Sequence, residues 1–411
     1  MPCQLARPVP VARCYNFSAM KITRRNFLTV AGLAALFICF SVPSAGQPAE
    51  QNNYFVYVGT YTEKTQSKGI YEYRFDATNG NISSVGVAAE TVNPSFLAMH
   101  PSGKYLYAVN EAAISDGGKH GAVSAFSIDP QTGKLTLLNQ VSSLGVDPCF
   151  ISFDKTGKYA LVANYTSGNV AVFPVMPDGK VGKESSFVQD SGRLGPNTKR
   201  QEGPHAHFIV TTADNRYAVE SDLGLDEILV YKFDASNGTL IPNDPPYFRI
   251  KPGSGPRHIA FSADDKFAYV VSEMGSTVTA LRFDAKKGSF KELQAISTLP
   301  PGYTGRNDAA EIAIHPNGKF LYASNRGNDS IAIYAIDSKK GTLTPQGGMP
   351  TGGKEPRHFT FDPSGKFMFI ENQFSDQIVV TRVNPETGAL SSSAQTIQVP
   401  SAVCLIFLAP H

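Results

Sequence analysis

Four short phrases in this chain carry residue types that can do chemistry, and they occupy equivalent places: Gly203-Pro-His-Ala-His207, Gly255-Pro-Arg-His258, Asp308-Ala-Ala-Glu311 and Glu355-Pro-Arg-His358. They hold four of the eight histidines, two arginines and three acidic residues. An imidazole can take a proton from water near neutral pH, and a guanidinium can stabilise an oxyanion or grip a carboxylate or phosphate through paired donors. Counting back from the turn that follows each phrase, His207 falls where Arg257 and Arg357 fall. A second set stands where apolar runs switch to polar pairs: Asn110-Glu111, Asn164-Tyr165, Asp222-Leu223, Ser272-Glu273, Asn325-Arg326 and Asn372-Gln373.

The elements that position these residues are repeats. His100-Pro-Ser-Gly-Lys-Tyr-Leu-Tyr-Ala-Val-Asn110 returns at 154–164, 262–272, 315–325 and 362–372, with a weaker copy at 212–222. A second phrase, Phe75-Asp-Ala-Thr-Asn-Gly80, returns at 128–133, 233–238, 283–288, 336–341 and 383–388 and in shortened form at Met176-Pro-Asp-Gly179. Both are turns rich in Asp, Asn and Gly between β-rich runs, so each repeat predicts four antiparallel strands. A period of roughly 50 residues built this way predicts an all-β, seven-bladed β-propeller over residues 47–411. The first phrase occurs six times and the second seven. Asn53–Gly59 lacks a preceding first strand and Pro400–Phe407 lacks successors, so one C-terminal and three N-terminal strands are expected to close the ring.

Trp is absent, which argues against propellers whose signature contains it. Residues 1–46 form an N-terminal extension. Within it Thr23-Arg-Arg-Asn-Phe-Leu28, the apolar run 28–42 and the small residues Ser44-Ala45-Gly46 resemble a twin-arginine export signal, with Met20 as a candidate start. Removing these residues moves the net charge from +2 to −3, which excludes the basic stripe of a nucleic-acid binder. A periplasmic or secreted monomer, off the membrane once the signal is removed, is expected. Cys3, Cys14 and Cys39 precede the propeller, and Cys149 and Cys404 lie on first strands of non-adjacent blades, where a disulfide is not expected.

No nucleophile elbow, phosphate-binding loop or dinucleotide fingerprint is present. His205, His207 and His258 raise the possibility of a metal, but the first two alternate along a strand rather than pairing on a helix, and no metal or cofactor is expected. A structural repeat should repeat its residues, so residues that differ between blades at a shared position point to an asymmetric small-molecule ligand.

On Tyr57-Val-Gly-Thr-Tyr61, Asn93-Pro-Ser95, Leu106–Glu111, Val162–Tyr165, Pro204–His207, Asp222–Asp226, Gly255–His258, Ser272-Glu273, Ala309–Ile312, Ser324–Arg326 and Pro356–His358, the chain from about residue 53 onward resembles the seven-bladed propeller lactonases. That family includes propeller 6-phosphogluconolactonases and carboxymuconate cyclases. The resemblance implies a metal-independent lactonase with His207, Arg257, Glu273 and Arg326 at the reaction centre. His207 or Glu273 would serve as base, and His205 is the alternative histidine. Arg357 would bind an anion, and His205, His258, Glu311, Asn110, Asn164, Asp222, Asn325 and Gln373 would complete the substrate site. The substrate would be 6-phosphoglucono-1,5-lactone or a related aldonolactone. A lactonising cyclase acting on an unsaturated diacid and a non-catalytic envelope-binding propeller are the alternatives.

Overall fold

A computed structural model describes residues 52–409. The twin-arginine-like segment, its cleavage region and Cys3, Cys14 and Cys39 lie outside the described residues. The described chain forms seven four-stranded antiparallel sheets. Six are consecutive, as in the blade Pro256–Phe261, Phe267–Ser272, Thr277–Asp284 and Ser289–Ser297, here counted as blade 4. The seventh pairs Ala402–Leu408 with Asn53–Thr60, followed by Gly69–Asp76 and Asn81–Glu90. One C-terminal strand and three N-terminal strands therefore close the ring, as the unequal phrase counts require. Among the described residues no helix is long and apolar enough to cross a membrane. Cys149 and Cys404 are free and buried.

The two repeated phrases interlock neighbouring blades. Gly133, in the outer turn of blade 1, has φ 80° and no room for a side chain, because a Cβ there would collide with the Phe55 ring of the closing blade. The glycines of the other six outer turns meet Tyr105, Tyr159, Tyr217, Phe267, Phe320 and Phe367 in the same way. Six of these aromatics directly follow the turn of the first phrase and Phe55 takes the same part in the closing blade, so the ring of one blade seats under the glycine of the next. Tyr57 and Tyr322 tighten the joint by donating their hydroxyls to the Gly133 and Gly388 carbonyls at 2.6 and 2.7 Å. The large buried side chains of the core are Tyr, Phe, Leu, Ile and Val, interleaved with Ala, which suits a propeller without Trp.

The asparagines that end the second strands are latches. Asn110 donates Nδ2 to the Val92 carbonyl (2.6 Å), Asn164 to Ser143 (3.0 Å) and Asn325 to Thr298 (2.9 Å). In each case the accepting carbonyl belongs to the link arriving from the preceding blade. These fully buried amides satisfy loop backbone that would otherwise be stranded away from water. The expectation that Asn110, Asn164 and Asn325 face a ligand is corrected accordingly: they bind their own chain.

The interlock predicts that Gly341→Ala, which places a methyl against the Phe267 ring at φ 76°, destabilises the protein by about 2–4 kcal/mol. Gly203→Ala, where a Cβ meets open space, is expected to cost less than about 1 kcal/mol. Denaturant midpoints for the two variants check the contrast.

Candidate active site

The innermost strands carry β-bulges where they begin. In blade 4, Pro256 pairs with Ser272 and His258 with Val271, which leaves Arg257 as the extra residue. The same interruption spans Cys149 in blade 2, His207 in blade 3 and Arg357 in blade 6. A bulge bends its strand and re-aims one side chain. Four blades thus present a thiol, an imidazole and two guanidiniums at one geometric position, and the equivalence of His207, Arg257 and Arg357 counted along the sequence has this physical basis. Cys149 is the fourth member, and its Sγ lies 3.7 Å from His207 Nδ1.

Glu273 organises the cations. Its Oε2 lies 2.8 Å from Arg326 Nη2 and 3.3 Å from Arg257 Nε, and its Oε1 accepts from Arg200 Nη2. Burial alone would raise this carboxyl, but Arg326, Arg257 and Arg200 outweigh it and hold it at about 2. A carboxylate so stabilised is a weak proton acceptor at neutral pH, and in this arrangement Glu273 is the counterion that keeps three guanidiniums in place. Arg257 also donates Nη1 to the Ala310 carbonyl at 2.8 Å. Burial, followed by the charges of Arg326 and Arg357, pushes Arg257 down to about 10, so it stays charged. Arg200 was not picked out in the sequence. It lies in residues 190–205, the longest link between blades, and that length was the available signal.

Arg357 differs from its neighbours. Its guanidinium sits 5.5 Å above the Tyr61 ring and forms no ion pair with any described residue. Tyr61 in turn donates its hydroxyl to Glu111 at 2.7 Å.

His207 is buried, and its pKa is held well below the ordinary imidazole value by burial and then by the charges of Arg257, His258 and Arg357. It is therefore neutral at pH 7, with one ring nitrogen unprotonated. His205 is engaged elsewhere: Nδ1 meets the Tyr165 carbonyl at 3.0 Å, the ring stacks on Tyr165 at 4.5 Å, and Nε2 is 3.4 Å from Glu202. His258 places Nδ1 3.1 Å from both Glu311 oxygens, and His358 bridges Glu311 (3.8 Å) and Glu371 (2.7 Å). Burial pushes His258 down to about 4, leaving a neutral ring that donates to ionised Glu311. Phe96 closes over this chain edge-on to both rings, 6.0 and 5.9 Å away. His258 and Glu311 thus form a buried hydrogen-bonded unit.

Asp222 is fully buried, and both its oxygens accept the His205 backbone N–H at 2.9 Å. It positions the segment bearing His207, which corrects the expectation that it faces a ligand. With Asp190 and Glu220 it forms a group whose ligand atoms lie within 4.8 Å of one another. Burial and mutual repulsion raise the carboxyls of Asp190 and Asp222 well above the ordinary range. Among the described residues this is the group with metal-ligand spacing, and it is distinct from the Glu273 cluster. Gln373 lines a cavity together with Tyr61 and Glu111.

Comparison with known proteins agrees with this architecture. Residues 55–407 match the family described as "Lactonase, 7-bladed beta-propeller". The chain is 38% identical to a 6-phosphogluconolactonase of Bacillus subtilis over 86% of its own length and 98% of that protein. It is 36% identical to a 6-phosphogluconolactonase of Formosa agariphila, covering 74% of this chain and 85% of the other. Among solved structures, the periplasmic gluconolactonase of Pseudomonas aeruginosa superposes with a TM-score of 0.81 at 34% identity, covering 87% of this chain and all of that one. With blade count, ring closure and coverage in agreement, the chain belongs to the seven-bladed β-propeller lactonase family.

Proposed function

We propose that the protein hydrolyses an aldono-1,5-lactone to the open acid, without a metal, at the mouth formed by the bulges of blades 3, 4 and 6. The observation that carries this reading is the division of labour among charges. Arg200, Arg257 and Arg326 are tied to Glu273, while Arg357 makes no ion pair within 4.0 Å, feels Glu111 and Glu273 only at longer range, and lies within electrostatic reach of a neutral His207. In this reading a water molecule adds to the lactone carbonyl carbon as His207 takes its proton. The carbonyl oxygen gains negative charge facing Arg357, with Arg257 adding to the positive field. Collapse of the tetrahedral intermediate breaks the bond to the ring oxygen, which receives the proton held by His207 and leaves as a hydroxyl. His205, Asp222 and Glu273 act as positioning residues. They fix, respectively, the Tyr165 face, the backbone of the histidine segment and the arginines.

The cyclase alternative requires cations for both carboxylates of a diacid, and one unpaired guanidinium counts against it. The twin-arginine-like segment and the likeness to a periplasmic gluconolactonase support residence outside the cytoplasm.

Proton release during hydrolysis of D-glucono-1,5-lactone tests the reading. His207→Ala is expected to lower kcat/KM about 10²–10⁴-fold and Arg357→Ala about 10²–10³-fold, and rates no greater than in buffer alone for the unmodified protein would refute it. Because His207 titrates well below 6.5, kcat/KM is expected to stay level as the pH falls from 8 to 6, with its acid limb lower still. A limb centred near 6.5 would point to a different base.

Glu273→Gln is expected to cost about 3–5 kcal/mol by stranding buried cations. The folded pKa of Glu273 is depressed, so its contribution is present above about 4.5 and is lost as the pH falls toward 2. The stability gap between variant and parent, followed by denaturant titration at several pH values, should therefore close on acidification.

A further inference from the structure

We propose that Tyr61 is a positioning residue for the reaction: its ring seats the Arg357 guanidinium and keeps Glu111 from closing on that cation as a direct ion pair. This inference rests on the hydrolase reading, in which Arg357 faces the developing oxyanion. Three consecutive blades meet at this point. Arg357 comes from the bulge of blade 6, Glu111 from the second strand of blade 1, Tyr105–Ser115, and Tyr61 follows the strand Asn53–Thr60 of the closing blade between them. One aromatic side chain touches both charged groups. The guanidinium carbon lies over the Tyr61 ring, 5.5 Å from its centroid, and the phenol hydroxyl donates to Glu111 Oε2 at 2.7 Å.

A guanidinium over an aromatic face is held by the ring quadrupole without being neutralised by a counter-charge, and the attraction is strongest away from water. Tyr61 thus fixes Arg357 and leaves its donors open. Burial raises the Glu111 carboxyl and the Arg357 charge opposes that rise, so a direct approach of the two would favour the carboxylate and an ion pair. The backbone around Tyr61 keeps the ring where it blocks this. Its N–H donates to the carbonyl of Ser401, one residue before the C-terminal strand, at 3.1 Å. Asn93 ties the carriers of the phenol and the carboxylate together. Its Oδ1 accepts the Thr62 and Glu63 N–H groups at 2.8 and 3.1 Å, its Nδ2 donates to the Glu111 carbonyl at 2.9 Å, and its own carbonyl accepts the Glu111 N–H at 3.0 Å. Asn93 is buried with φ 39°, in the left-handed region that Asn tolerates. Ring closure, which brings Tyr61 beside Ser401, therefore also sets the seat of Arg357.

The test measures kcat and KM for D-glucono-1,5-lactone by proton release, on the full chain and on Tyr61→Phe, Tyr61→Leu and Tyr61→Leu/Glu111→Gln. Tyr61→Met is a second variant without the ring, and thermal midpoints check that each variant is folded. Tyr61→Phe keeps the ring and is expected to hold kcat within about three-fold of the unmodified protein. Tyr61→Leu is expected to lower kcat about 10–30-fold with KM changed less than about three-fold. Adding Glu111→Gln, which removes the carboxylate that captures Arg357, is expected to restore about five-fold or more of that loss. An unchanged kcat in Tyr61→Leu and Tyr61→Met, or a loss that Glu111→Gln does not reverse, would overturn the inference while leaving the hydrolase reading intact. If the unmodified protein opens no lactone, the hydrolase reading falls, and a crystal structure of Tyr61→Leu decides the contact by itself. Arg357 is then expected within about 4 Å of Glu111, and a guanidinium that stays in place would overturn the inference.

Discussion

Everything else in this ring depends on a glycine meeting an aromatic ring across each blade interface. The outer turn needs a left-handed residue, the neighbouring ring leaves no space for Cβ, and glycine alone satisfies both demands. Seven such contacts set the spacing between blades, including the joint at Phe55 and Gly133 where the two chain ends meet the ring. Because all seven are alike, the inner strands start at matching heights. Residues from four different blades can then converge without any loop having to carry them.

On that regular frame the bulges and Glu273 create asymmetry. A bulge repeats in backbone geometry but not in side chain, so Cys149, His207, Arg257 and Arg357 share a position and differ in chemistry. Glu273 then divides the arginines into two kinds. Those it touches are fixed and locally neutralised, whereas Arg357 lies beyond contact and is compensated only at longer range by Tyr61, Glu111 and Glu273. Clustering of buried cations is costly unless they are paired, and burial, followed by the charges of Arg326 and Arg357, lowers Arg257 even so. In the proposed reaction, Arg357 beside that cluster is the guanidinium free of direct ion pairs that faces the developing oxyanion.

The ring was legible in the sequence because the two phrases encode turn geometry and interblade contact, both of which repeat. The same logic locates the error over Asn110, Asn164 and Asn325. They repeat from blade to blade, as a structural device must, and the structure uses them to hold incoming loops. His207, Arg257 and Arg357 differ from blade to blade, and they are the side chains that the bulges re-aim. Two features could not be read from spacing. Arg200 lies in a link with no repeat to align it against, and the commitment of Glu273 to three cations is a property of three-dimensional proximity among residues 200, 257, 273 and 326. A lone Glu in the sequence looks like a base, and only its neighbours make it a counterion.

The central claim is that Arg357 is the guanidinium available to the reacting group while Glu273 retains the others. A crystal structure with the open aldonic acid bound tests it most directly. The product carboxylate should lie on Arg357, with the Glu273 contacts to Arg200, Arg257 and Arg326 preserved. A carboxylate that displaces Glu273 from Arg257 or Arg326, and leaves Arg357 unoccupied, would contradict the account.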